Sequence, residues 1–152
     1  MALSELLEKN ESEIIEKAHH ALERSHLKHY TGSRPEENIQ RLKQLYHFVK
    51  ESIKGKNLIP LTDYIQEKAR ERFATGFAFS EVNTAINVLE EMIWEKIKEN
   101  LEPLQLAEAL GMLSRVLGAG KTTLANTYVS LASKGKVTSI DVSALFKGTE
   151  GS

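Results

Sequence analysis

Apolar residues recur every three or four positions along most of this chain, with Glu and Lys between them, and no segment alternates apolar and polar for long. That period belongs to the helix, not the strand. Leu3, Leu7, Ile14, Ala18, Ala21 and Leu22 predict a first helix from about Ser4 to Tyr30. The run "TGSRPEEN" interrupts it, and Ser33 with Glu36 has the spacing of a capping box, with Pro35 in the first turn. A second helix carries Ile39, Leu42, Leu45, Tyr46, Val49 and Ile53 and stops at Gly55. The third begins near Leu58 to Pro60, carries Leu61, Tyr64, Ile65, Ala69 and Phe73, and ends at Gly76. Ser80 reads as the cap of a fourth, whose stripe is Val82, Ile86, Leu89, Ile93 and Ile97. Pro103 opens a fifth that runs to about Ser133. The pattern predicts an all-α fold, an antiparallel bundle of about five helices with short connections, over residues 1–133. Residues 134–152 read as a flexible tail or linker, β-tolerant around Val137 to Val142, with Leu145 and Phe146 as its large apolar pair.

One stretch competes with this reading. Gly118 to Thr123 spell "GAGKTT", which suggests the phosphate loop of a nucleotide-binding protein. Such a loop needs a glycine five positions before the Gly-Lys-Thr, so that backbone N–H groups can wrap the phosphates, and that position is Arg115. A buried strand should precede it. Instead Leu106, Leu110, Leu113 and Leu117 keep helical phase, and the phase continues through Gly120, Leu124, Tyr128 and Leu131. The motif therefore reads as part of a helix, with Gly120 facing the core and Lys121 beside the seam.

Glycines in a helix interior need a reason, since each costs about 1 kcal/mol relative to alanine. Ala107, Gly111, Ser114, Gly118, Ala125 and Ala132 form a second stripe of small residues beside the leucines. Close packing within the chain, a helix-pairing surface between two subunits, or a shallow ligand crevice would each account for it. Gly111, Ser114, Gly118, Ala125 and Tyr128 are the interface or packing candidates.

Composition narrows the functional classes. The chain of 152 residues has a formal net charge of −1 and no cysteine. Charges are interleaved, so neither nucleic acid nor a membrane surface is an expected partner. Without cysteine there are no disulfides and no thiolate chemistry, which fits a cytoplasmic setting. The start "MALSELLEKNESEII" does not read as a signal peptide. Four of the five histidines lie in the predicted first helix, where His19 and His26 are one heptad apart and are the candidates for an axial haem ligand. Glu16 and His19 resemble half of a di-iron helix motif, but His47 is preceded by Gln44 where a second carboxylate is needed. No Gly-x-Ser-x-Gly turn is present. Trp94 reads as core or interface packing. No metal and no catalytic residue are expected.

The segment "QEKARERFATGFAFSEVNTAINVLEEMIWEKI", with "LLEKNESEIIEKA" at the start and "ANTYVSLA" near the end of the long helix, resembles the N-terminal domain shared by RsbT co-antagonist proteins of the RsbRD type and some sensor histidine kinases. The likeness covers about residues 4 to 133 and rests on apolar spacing plus Arg70 or Arg72, Gly76, Glu81 and Tyr128. It implies a helical input domain in the style of globin-like sensors, of the kind that precedes a kinase or STAS output module. No such module is visible in this chain. The expectation is a non-enzymatic bacterial signalling input or regulatory domain of the stress-response or two-component type, without a cofactor. It would act through contacts with signalling proteins and form a homodimer. A haem- or small-ligand-binding helical sensor is the alternative.

Overall fold

The computed structural model describes residues 2–139, and the side chains of 2–134. Its elements are α1 (Leu3–Lys9), α2 (Glu11–Arg24), α3 (Lys28–Thr31), α4 (Pro35–Gly55), α5 (Ile59–Ala74), α6 (Phe79–Asn100) and α7 (Pro103–Ser139). Among the described residues the fold is all-helical. The three prolines stand in the first turns of α4, α5 and α7, where a missing N–H costs nothing. None of the helices is long and apolar enough to cross a membrane among the described residues.

Among the described residues seven helices stand where about five were expected, and the difference lies at the start. The segment Ser4 to Tyr30 is three helices. Asn10 closes α1 by donating its side-chain Nδ2–H to the Leu6 carbonyl at 2.8 Å. Ser25 ends α2 in the same way, its hydroxyl donating to the Ala21 carbonyl at 3.0 Å, and His26 then turns with a φ of 50°. Short polar side chains that bond their own backbone stop a helix that apolar spacing would continue.

Both predicted serine caps are corrected. Ser33 donates its hydroxyl to the His29 carbonyl at 2.7 Å, so α4 starts from Arg34 with no side-chain cap. Ser80 lies inside α6, and the helix starts after Ala78, whose N–H is held by the Glu81 carboxylate at 3.1 Å. Alanine has no side-chain acceptor, so only the glutamate half of a capping box exists there. A cap that spacing did not reveal is buried Ser52, whose hydroxyl accepts the Leu61 N–H at 3.0 Å in the first turn of α5.

The main neighbour pairs are α5 with α7, α6 with α7, α2 with α6, α4 with α5 and α2 with α4, so the longer helices close a ring around one core. Tyr46, Leu61, Ile86, Leu89, Ile93, Leu113 and Leu117 are fully buried inside it. Chain neighbours run antiparallel where they pack. Gln44, Phe48 and Ser52 of α4 meet Tyr64 and Leu61 of α5 in reverse order. Lys121 and Tyr128 of α7 meet Glu90 and Phe77 in reverse order. In contrast, α5 and α7 run parallel, with Leu61 beside Gly120 and Phe73 beside Tyr128. At about 1.5 Å per residue, the 37 residues of α7 span about 55 Å against about 33 Å for the 22 of α6. Because Tyr128 already meets Phe77, which precedes α6, the last turns of α7 run past the start of α6. Helix α7 extends to Ser139, beyond the expected end near Ser133, and the rest of the predicted tail lies outside the described residues.

Candidate functional site

The "GAGKTT" stretch is helical throughout and contains no loop. Leu113, Val116, Leu117, Gly120, Leu124 and Tyr128 are buried, as the leucine phase requires. Lys121, which would hold phosphate in a nucleotide loop, donates to Glu90 of α6 at 2.6 Å. The three glycines differ in what they serve. A methyl group at Gly120 would come within 3.1 Å of Leu61 Cδ2, so close packing against α5 favours glycine there. Methyl groups at Gly111 or Gly118 would meet nothing within 4 Å. Packing within the chain therefore does not explain them. Gly111, Ser114, Ala107 and Ala132 are exposed and Gly118 and Ala125 half-exposed, whereas Tyr128 belongs to the core.

The haem candidates do not come together. His19 lies on α2, and His26 is exposed beyond its end, so the two share no helix face. His19 is buried with its Nε2 unpartnered, and its Nδ1 lies 3.7 Å from Glu23. It borders none of the described cavities. No cluster of three or more metal-ligating side chains exists among the described residues, which covers the discounted di-iron motif. Trp94 is not in the core: it is 39% exposed, with the Lys98 ammonium 4.9 Å from its ring centroid.

What apolar spacing did not reveal is a crevice between α4 and α5. Its centre is Phe77, buried in the α5–α6 connection. That connection turns at Gly76, whose φ of 90° suits glycine. Tyr128 donates its hydroxyl to the Phe77 carbonyl at 2.8 Å and so ties the connection to α7. Two guanidiniums converge on the Phe77 ring, Arg41 at 5.3 Å and Arg72 at 5.7 Å from its centroid. Tyr30 meets the same ring edge-on at 5.2 Å. Arg41 also donates to Ser33 and Asn38, each at 2.9 Å, and lies 3.8 Å from Glu37. Lys68 is paired with Glu71 at 2.9 Å. Arg72 has no carboxylate within 4 Å among the described residues; it faces Phe77 and acts on the Tyr64 hydroxyl.

Behind these cations is a cavity of about 30 Å³, enough for a water or two, walled by Ile65, Ala69, Val82, Ala85, Ile86 and Leu124. Tyr30, Arg41, Tyr64, Lys68 and Arg72 close its polar end, and no carboxylate lines it. In front, a groove of about 450 Å³ shares Arg41, Lys68 and Arg72 and carries Glu36, Glu37 and Glu71 on its rim. Burial raises the pKa of Tyr30 despite the nearby Arg72 and Arg41, and pushes Tyr64 up to about 12. Both hydroxyls are therefore protonated donors at neutral pH. The Tyr30 hydroxyl donates to no described residue. Arg72 stood out earlier only through the family resemblance. Tyr64 reads as an ordinary stripe residue and Tyr30 only as the end of the predicted first helix, because convergence from α3, α4 and α5 leaves no mark in local spacing.

Comparison with protein-family models, with curated proteins and with solved structures finds no match for this chain.

Proposed function

We propose that this chain is a non-enzymatic regulatory module that acts through protein contacts and pairs with a second copy through the outer face of α7. The observation that carries the reading is the open space at Gly111 and Gly118 on a helix that also exposes Leu104 (90%) and Val129 (65%). The face is self-complementary about Gly118. If two copies of α7 cross antiparallel there, each position faces its mirror image about residue 118. Gly111 then faces Ala125, Leu104 faces Ala132, and Val129 faces Ala107. Small meets small in the first pair and large meets small in the other two, which is how two helices interdigitate at close approach, and the arrangement is a closed two-fold. Arg115 falls opposite Lys121, whose charge Glu90 already holds. The turns of α7 beyond Tyr128 expose Val129, and a second helix would cover what α6 does not reach.

The resemblance to RsbRD-type and sensor-kinase N-terminal domains, globin-like in style, supports an input role in bacterial signalling. A cytoplasmic setting and contacts with signalling proteins belong to that reading.

Size-exclusion chromatography with light scattering tests the pairing. A dimer at micromolar concentration is expected, and Gly118→Leu should convert it to monomer. Because nothing inside the chain lies within 4 Å of that site, the variant should unfold no more readily than the wild-type monomer. A wild-type protein that is monomeric throughout the micromolar range removes the pairing.

A further inference from the structure

We propose that the α4–α5 crevice binds the carboxylate group of a small organic acid, with Arg72 as its main anchor and the Tyr30 hydroxyl as a second donor. This site shares no residue with the outer face of α7, so it stands whether or not the chain pairs.

The fold gathers cations and hydroxyl donors at this crevice and leaves one of the cations, Arg72, without a carboxylate among the described residues. Two guanidiniums are held on one ring, at 5.3 and 5.7 Å, although like charges repel. Of the three cations at the crevice, Lys68 is neutralised by Glu71 at 2.9 Å and Arg41 lies 3.8 Å from Glu37. Arg72 has no such partner among the described residues, though it is partly withdrawn from solvent. The Tyr30 hydroxyl, in a residue only 5% exposed, is likewise a donor without a protein acceptor. Among the described residues only His19 Nε2 is a buried side-chain polar atom without a partner, so both of these groups still reach water, and an anion at this point would replace that water with charge-assisted hydrogen bonds.

The dimensions choose among anions. The inner cavity of about 30 Å³ accepts two oxygen atoms in place of water but not a tetrahedral phosphate with its substituent. A planar carboxylate matches the planar fork of arginine. The remainder of the molecule would lie in the outer groove, where Gln40, Gln44 and Thr75 offer hydrogen bonds and three glutamates line the rim. Glu71 is paired with Lys68 and Glu37 with Arg34, so Glu36 is the rim carboxylate without an ion pair among the described residues; it repels a second negative charge, which favours a monoacid over a diacid. Glu36 would also receive an ammonium, so the acid can be plain or an amino acid.

Titration of ¹⁵N-labelled protein with propionate, alanine and inorganic phosphate, followed by NMR, is the test. Propionate or alanine should shift amides of residues 30–45 and 64–77 at concentrations up to about 20 mM, weak binding being expected of such small molecules. Tighter binding of propionate points to plain acids, and tighter binding of alanine to amino acids. Arg72→Met should weaken binding about tenfold, Arg72→Lys several-fold and Tyr30→Phe by a smaller factor, because a fork, a point charge and a single donor are lost in turn. Lys121→Ala, remote from the crevice, should bind as the wild type does. Circular dichroism establishes that each variant is folded. The proposal is overturned by any of three results: no shift with either carboxylate, wild-type affinity in folded Arg72→Met, or phosphate bound as well as the carboxylates.

Discussion

The Glu81 carboxylate holds His29, 52 positions earlier in the chain, by two hydrogen bonds: the backbone N–H to Oε2 and ring Nδ1 to Oε1, each at 2.8 Å. A third bond, from the Ala78 N–H at 3.1 Å, fixes the start of α6. One buried carboxylate thus fastens the α2–α3 region to the α5–α6 corner, beside the rings of Phe77 and Tyr30. Replacing Glu81 by Ala leaves those donors without an acceptor, and the expected loss of stability is about 2–3 kcal/mol. Denaturant titration reads the loss. Amide hydrogen exchange at His29 should accelerate more than exchange in the middle of α6.

Acid should undo the same link. Burial raises the pKa of Glu81, but the N–H donors from His29 and Ala78 outweigh it, and the carboxyl stays below the usual range. Since the folded value is depressed, the stability it contributes is fully present above the unfolded value of about 4.3 and is lost as pH falls through the folded value. Unfolding free energy should therefore decline below about pH 4. In Glu81→Ala that decline should be shallower, and an unchanged pH profile would show that the carboxylate contributes nothing.

Gly118→Ala and Gly120→Ala should part in sign although the positions are two residues apart. At Gly118 the added methyl meets nothing, so higher helix propensity should add about 0.5–1 kcal/mol. At Gly120 it presses on Leu61 Cδ2 at 3.1 Å, and the gain should be cancelled or reversed. Thermal unfolding of the two variants, compared at a concentration where the wild type is monomeric, gives the answer. Equal shifts would contradict the assignment of Gly120 to the α5 contact.

His19 is buried with Nε2 unpartnered. Its weak contact with Glu23, at 3.7 Å, is little to lose. Exchange for Leu should raise stability by about 1 kcal/mol, because an unsatisfied polar atom is replaced by an apolar group. A destabilised His19→Leu would mean that the ring has a hydrogen-bonding role. The same variant addresses haem: uptake by the wild type that disappears in His19→Leu would revive the ligand reading of this residue.

Lys121 and Glu90 are partly buried, 30% and 20% exposed, and 2.6 Å apart. A double-mutant cycle with Ala at both positions should give a coupling of about 0.5–1 kcal/mol. Labelled ATP and GTP should bind neither the wild type nor Lys121→Ala. Nucleotide binding that depended on Lys121 would require the helix around it to be a loop.

The candidate sites were less legible than the helices. Gly111 and Gly118 were visible as a small stripe, but whether they faced the core or open space depended on where α5 and α6 lie. Gly120, beside them in the sequence, faces Leu61. The crevice joins Tyr30, Arg41, Tyr64, Arg72 and Phe77, which no motif links. His19 and His26, one heptad apart, were separated by a turn that Ser25 makes by bonding to Ala21.

By itself the sequence determined the helical class, because a period of three to four is a local property that the backbone expresses wherever an apolar core is available. Prolines likewise placed the starts of α4, α5 and α7, and Gly76 the turn after α5, since they act on their own φ and N–H; α4 does stop at Gly55, but the left-handed residue that ends it is Lys56. The tertiary structure decided what each polar side chain does. Ser33 and Ser80 could have capped helices, but the Ser33 hydroxyl went to His29 and the start of α6 was set by Glu81. Arg72 could have been a solvated surface charge, and it is held over Phe77 instead. Such choices depend on which partners the closed ring of helices brings within 3 to 6 Å, and that proximity is not written in the spacing of any one helix.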